Sequence, residues 1–278
     1  MSSARPDQQS AVDAFRALHA SGCFVLPNPW DVGSAIYLRQ LGFKALATTS
    51  AGFAFSRGWS DDFGAVPRDA MLAHVREIAE ATPLPVNADF QNGYADEPEG
   101  VAANVARCVA AGVAGLSVED STGDGAAPLY ERALAIERVK AARAAIDASG
   151  VPVVLTARCE AWLVGHPDPF RTSLDRLAAY AEAGADCLYA PGVRDPEEIG
   201  AIVHAVAPLP VNVLMSAPVP GLTFARLAEL GVRRVSVGSA LARVAWGAFM
   251  RAAQGLAAGS FDGLGGAAPF AELNALFR

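Results

Sequence analysis

Short runs rich in β-branched residues recur along the chain, separated by stretches in which apolar residues return every three or four positions. The runs occupy residues 23–26, 45–49, 85–90, 115–120, 153–158, 186–190, 211–215 and 234–238. They begin about 20 to 40 residues apart, the span of one strand, one loop and one helix. VPVVLTAR and LPVNVLM are nearly continuous in apolar residues, the pattern of parallel strands buried on both faces.

The intervening stretches carry helix signals at their ends. Asp31 or Ser34 can cap a helix over 35–41 that Gly42 ends, and helices over 99–111, 174–183 and 224–230 close at Gly112, Gly184 and Gly231. LGFKAL, AGVAGL, AGADCL and LGVRRV thus repeat one theme of helix end, glycine and strand. Eight such units predict an α/β fold, a closed (β/α)8 TIM-type barrel. An open doubly wound sheet is the alternative, but no GxGxxG follows the first strand.

After Gly238 the pattern predicts a helix over 239–254, then the linker LAAGSFDGLGGAA and a short apolar segment, 270–277, behind Pro269. No earlier linker divides the chain. The expectation is one barrel domain over 1–278, with 239–278 as a C-terminal helical extension.

Composition narrows the partners. The chain has 278 residues, 52% of them hydrophobic and 18% charged, enough apolar material for a large core. The net charge is −7 and no Lys/Arg stripe occurs, so neither nucleic acid nor an anionic membrane surface is expected. Cys23, Cys108, Cys159 and Cys187 show no CxxC pairing and read as small buried hydrophobes. MSSARPDQQS lacks the apolar core of a signal peptide, and no run reaches the ~18 apolar residues of a membrane span. A cytoplasmic location is the expectation.

In such barrels functional groups project from the C-terminal strand ends and the loops that follow. Asp61, Asp89 and Glu119 fall there, on the second loop and the third and fourth strands. Clustered carboxylates are costly unless a cation neutralises them, and oxygen donors without a His or Cys cluster point to Mg²⁺, with Mn²⁺ as a substitute. The alternative makes these acids helix caps or ion-pair partners of Arg158. Arg158 itself ends an apolar strand, where its planar fork suits a substrate carboxylate; the alternative is a structural partner for Glu119 or Glu160. In TTSAGFA, backbone N–H groups around Thr49, Ser50 and Ala51 could hold the same anion. His166, in VGHPDPF, is either a catalytic acid or base or an ordinary loop histidine. His19, His74 and His204 lie on helical patterns and read as structural, and Trp30 reads as a pocket wall.

PNPWDVGSA, ATTSAGFAFSRGWSD, VNADFQNGY, SVEDS, TARCEAW and PVNVL, in this order from about Phe24 to Gly255, resemble the isocitrate lyase/phosphoenolpyruvate mutase superfamily. The resemblance implies a (β/α)8 barrel, Mg²⁺, a 2-oxo acid or its enolate, and cleavage of a C–C or P–C bond. It also implies a homotetramer exchanging C-terminal helices. By matching position it makes Asp61, Asp89 and Glu119 the acidic metal shell and Thr49, Ser50 and Ala51 the carboxylate cradle. Arg158 and Asn212 become further anion contacts, and Asn87 stands where many members carry Asp.

Two departures bear on the reaction. The lyases carry Lys-x-Cys-Gly after the fourth strand, where this chain reads DSTGDGAAPLYE, and tend to carry Glu after the sixth, where it reads YAPGV. The Lys- and Asn-bearing loop of the mutases is also unmatched. The expected activity is therefore a Mg²⁺-dependent lyase acting on a small 2-oxo or 2-hydroxy diacid through an enolate. Decarboxylation of an oxaloacetate-like acid comes first and cleavage of a substituted malate second. A P–C bond mutase or hydrolase, or a catalytically quiet 2-oxo-acid binder, is the alternative.

Overall fold

The computed structural model describes residues 7–278, so the reading of MSSARPDQQS as free of a signal-peptide core lies largely outside the described residues. Eight parallel strands form one sheet: β1 Phe24–Leu26, β2 Leu46–Ala47, β3 Val86–Asp89, β4 Gly115–Glu119, β5 Val154–Arg158, β6 Cys187–Tyr189, β7 Val211–Leu214 and β8 Arg234–Ser236. Their order is β1-β8-β7-β6-β5-β4-β3-β2, and a bond from Ala47 N to Pro27 O (3.0 Å) draws the two ends of the sheet together. The predicted (β/α)8 barrel is the fold observed.

The helices are α1 Gln8–Ala20, α2 Val32–Gln40, α3 Ser50–Ser56, α4 Arg68–Ala81, α5 Pro98–Val109, α6 Arg132–Ser149, α7 Pro169–Glu182, α8 Pro196–Val206, α9 Phe224–Glu229, α10 Ala240–Ala257 and α11 Phe270–Leu276. Asp31 and Ser34 share the capping of α2, each side chain bonding the other's backbone N–H. The four glycines expected to stop helices, Gly42, Gly112, Gly184 and Gly231, all have φ between 86° and 100°, a conformation in which a Cβ is strained. The boundaries shift by up to three residues at α2 and α10 and furthest at α7. Helix α7 begins five residues before the expected 174, because Asp168 accepts a bond from Arg171 N and Pro169 supplies the first helical φ.

Helix α1 closes the N-terminal end of the barrel. Phe15 is fully buried against Gly115, where a Cβ would lie 2.7 Å from its ring, and Gln8 Nε2 donates to Val109 O and Val113 O. All four cysteines are free; three are buried and Cys23 is half-buried, as small hydrophobes in the core would be. No described helix is long and apolar enough to cross a membrane.

The tail covers little of the barrel. In α10 only Ala242 is buried, while Val244, Trp246, Phe249 and Met250 are exposed. Helix α11 returns to the outer side of α2, where Gln40 Nε2 donates to Leu276 O at 2.8 Å, and leaves Phe270 85% exposed.

Candidate active site

The C-terminal strand ends surround a cavity of about 160 Å³ whose walls include Ser50, Asp61, Asp89, Arg158, Tyr189 and Asn212. Parallel pairing explains the convergence. Glu119 on β4 pairs with Arg158 on β5, Arg158 with Tyr189 on β6, Tyr189 with Asn212 on β7, and Asn212 with Arg234 on β8. Paired residues in a parallel sheet project to the same face, here the barrel interior.

Arg158 is the hub. Its Nη1 donates to Asp89 Oδ1 (2.8 Å), its Nη2 faces Glu119 Oε2 (3.1 Å) and its Nε donates to Glu160 Oε1 (2.8 Å). The ion pairs weighed from the sequence are thus present, with Glu119 and Glu160 both engaged. Burial pushes the Glu119 and Glu160 carboxyls up against the opposing pull of Arg158. The three carboxylates hold Arg158 charged, its pKa well above the usual guanidinium value despite burial. Three of the five guanidinium N–H groups are engaged, leaving two to meet an incoming anion.

Fixed supports surround this cluster. Asp89 Oδ2 accepts from Ser50 N (2.9 Å), Asp89 N donates to Thr48 Oγ1, and Ser121 Oγ donates to Glu119 Oε1. Asp120 lies behind, accepting from Glu160 N, Arg176 and the Tyr180 hydroxyl. Gly52 is required where α3 starts, since a Cβ there would meet Thr49 Cγ2 at 2.5 Å and Trp30 Cβ at 3.0 Å. One amide of the Thr49–Ser50–Ala51 segment therefore already serves Asp89.

Asp61 closes the cavity from the loop after β2. Partial burial and then the charge of Asp89 push its carboxyl up to about 7, with Ser50 opposing, although its outer surface stays in contact with solvent. The surplus of carboxylates over cations is what a divalent ion would offset. Asn87 Oδ1 adds a second sign: it belongs to a buried side chain on the cavity wall, two residues before Asp89, and has no hydrogen-bond partner. All these donors are oxygens, the chemistry Mg²⁺ takes, although among the described residues Asp61, Asp89 and Glu119 are not gathered into one ligating group.

Three expected site residues stand off the cavity wall, and one of them, Glu119, meets Arg158 Nη2 at 3.1 Å without lining the cavity. His166 Nδ1 accepts from Asp168 N (3.1 Å) and meets Thr172 Oγ1 (3.2 Å), so its ring steadies the start of α7 and does not line the cavity. Trp30 is not a cavity wall either; it lies in a shallow groove with Ala242, Ala245, Trp246 and Phe249 of α10. Conversely, Arg234 lines the cavity and was not singled out. Its signal in the sequence was a basic residue inside the apolar run VRRVSVG, the same signal that marks Arg158 in VLTAR.

Comparison with known proteins agrees with this geometry. The family described as phosphoenolpyruvate phosphomutase matches residues 15–257. An uncharacterized protein of Mycobacterium tuberculosis is 40% identical over 94% of this chain and 95% of its own. An oxaloacetate decarboxylase of Chromohalobacter salexigens is 32% identical, covering 85% and 82%. A crystal structure from Burkholderia cenocepacia J2315, described only as that of a candidate lyase or mutase, superposes with a TM-score of 0.93 at 48% identity and covers 97% of both chains. The chain belongs to the phosphoenolpyruvate phosphomutase family, within the superfamily of lyases and mutases that the sequence motifs resemble.

Proposed function

We propose that this chain is a Mg²⁺-dependent carbon–carbon lyase acting on a small 2-oxo diacid, with decarboxylation of an oxaloacetate-like acid as the leading reaction and cleavage of a substituted malate as the second. The observation that carries the reading is Arg158, buried among Asp89, Glu119 and Glu160 with N–H groups to spare at the cavity wall. Likeness to the oxaloacetate decarboxylase supports the choice of reaction.

Asp61, Asp89 and Glu119 are the side chains that would hold the cation, with water completing the shell. Bound there, Mg²⁺, or Mn²⁺ in its stead, supplies a Lewis acid next to the 2-oxo group. Arg158 orients the substrate carboxylate, with Ser50 and Asn212 beside it. Loss of CO₂ from the carbon next to the carbonyl leaves an enolate, and the fixed positive charge of Arg158 stabilises that oxyanion as it develops. Decarboxylation asks least of the loop after β4, which carries neither Lys nor Cys, because it needs only a later proton.

The second reading, P–C bond chemistry, rests on the matched family's description. Steady-state turnover over 2-oxo diacids, 2-hydroxy diacids and a 3-phosphono-2-oxo acid, with Mg²⁺ and with EDTA, tests both. Mg²⁺-dependent release of CO₂ or a C–C cleavage product supports the first reading. Turnover of the phosphonate alone would transfer the assignment to the second, and binding without turnover would mark a quiet binder.

We further propose that residues 1–278 form one barrel domain and that 239–278 build a homotetramer by exchanging C-terminal helices. The exposed apolar face of α10 supports this.

A further inference from the structure

Two arginines line the cavity, and their surroundings are opposite in sign. Arg158 is met by three carboxylates. Arg234, only 2% exposed at the start of β8, is met by neutral groups: Nε donates to Asn212 Oδ1 (2.9 Å), Nη2 to Thr156 Oγ1 (3.0 Å), and Nη1 faces His19 Nε2 (3.3 Å). Among the described residues no ion pair reaches its guanidinium within 4.0 Å. A buried charge is seldom left unpaired unless something else supplies the opposite sign.

We propose that Arg234 is a second anion subsite at the floor of the cavity, taking the far carboxylate of a short dicarboxylate whose near end lies at Arg158. This rests on the 2-oxo diacid reading above and assigns the diacid's second end. The cavity is continuous between the two residues, since Arg158, Asn212 and Arg234 all line it. Three of the five guanidinium N–H groups are taken, leaving two for a carboxylate. Asn212 donates its Nδ2 to Ser236 Oγ (2.9 Å), which fixes its carbonyl on Arg234 and holds the fork in place.

The floor carries one positive charge. Burial, and then the charge of Arg234, push His19 down to about 3, so its ring is neutral at ordinary pH. One guanidinium matches a carboxylate monoanion, whereas a dianionic phosphonate would leave a negative charge buried without a partner. The polarity of the cavity, acidic at the mouth and basic at the floor, thus selects a ligand with a metal-chelating end and a plain carboxylate end.

The test compares two four-carbon acids with the same difluorinated 2-oxo end, differing only in the far group: 3,3-difluoro-2-oxobutanoate, which ends in a methyl, and 3,3-difluoro-oxaloacetate, a diacid that resists decarboxylation. With Mg²⁺, calorimetry on the wild-type protein is expected to show the diacid binding at least about tenfold more tightly. Arg234→Met should remove that gap while leaving 3,3-difluoro-2-oxobutanoate within about twofold, and Arg234→Lys should keep part of it. A gap that survives in Arg234→Met, or that is absent from the wild type, overturns the subsite. A merely structural arginine would weaken both acids alike. Because Arg234 ties together three strands and α1, thermal denaturation accompanies each variant. Arg234→Gln, which retains polar contact with Asn212, replaces Met should the latter not fold, and the same two outcomes decide. If neither 2-oxo acid binds with Mg²⁺, the lyase reading fails by itself. Succinate, with Mg²⁺ present to offset the acidic mouth, then reads the floor without a 2-oxo group: binding lost in Arg234→Met or Arg234→Gln upholds the subsite, and equal or absent binding in wild type and variant overturns it.

Discussion

The guanidinium carbon of Arg158 lies 5.1 Å from the centre of the Tyr189 ring, and the two residues are register partners on β5 and β6. The ring supplies a fourth electron-rich surface to a cation already ringed by three carboxylates. It also fixes the plane of the fork, which a flexible ammonium could not share. Arg158→Lys is accordingly expected to weaken binding of a 2-oxo diacid by about 1.5–3 kcal/mol, the range of charged hydrogen bonds. Tyr189→Phe should keep the ring contact and most of the affinity, whereas Tyr189→Leu should not. Calorimetry checks all three, and a loss under roughly 1 kcal/mol in Arg158→Lys would make the arginine structural.

Binding of the diacid should require a divalent cation, because the acidic mouth otherwise repels an anion. Titration with Mg²⁺ and with EDTA measures this. Asp89→Ala and Glu119→Ala should each reduce affinity by at least about tenfold, with circular dichroism unchanged. Equal affinity with and without the metal would remove Asp61, Asp89 and Glu119 from the role of metal shell.

His74 gives a pH dependence of stability. Its ring is buried, stacks on Phe53 at 4.1 Å and has no partner at Nε2, and burial with the charge of Arg57 pushes its pKa down to about 4. The unfolded chain takes up a proton near pH 6.5, while the folded one resists it until about pH 4. The stabilisation is thus complete above pH 6.5 and is lost as pH falls through that window, on the order of 3 kcal/mol in all. His74→Phe should lower Tm less than wild type does between pH 7 and pH 4.5. Shifts at the acidic cluster are common to both proteins and cancel in the comparison. Parallel Tm profiles would show that His74 does not titrate with folding.

The assembly is expected to be a tetramer. Trp246 and Phe249 pack edge to face at 5.4 Å on a helix side that its own barrel leaves uncovered. Closed symmetric association is the common way to cover such a face. Light scattering should give four times the 28.7 kDa chain mass. A monomer would refute helix exchange, and a truncation after Ala257 that stays tetrameric would show that α11 is not what joins the subunits.

The barrel was legible because its two signals are local: apolar runs that are buried on both faces, and glycines at helix ends. Where context decides, the sequence misled. Residues 45–49 read as one strand, yet only Leu46 and Ala47 pair in the ladder, since Thr49 turns the chain to cap α3 and accepts from Gly52 N. Arg158, Asp89 and Glu119 stood out as polar ends on apolar strands. Glu160 was weighed only as a partner, because its pairing depends on a side chain turning back two residues. Arg234 was masked by Arg233. Strand alternation separates them, sending Arg233 outward to Gly22 O and Arg234 into the barrel. For His166 the sequence left a catalytic and an ordinary loop histidine open, and its bonds to Asp168 N and Thr172 Oγ1 depend on the fold of its own loop.

The seam between β1 and β2 has a mechanical consequence. A closed hoop spreads load around its circumference, while one with a thin joint concentrates it there. Among the described residues these two strands share no ladder, and Asn28 spans the gap: its Nδ2 donates to Thr48 O on one side, and its Oδ1 accepts from Val237 N and Gly238 N on the other. One buried amide thereby joins the Ala47–Pro27 bond in riveting the hoop, and a wall that opens at this seam has to break both.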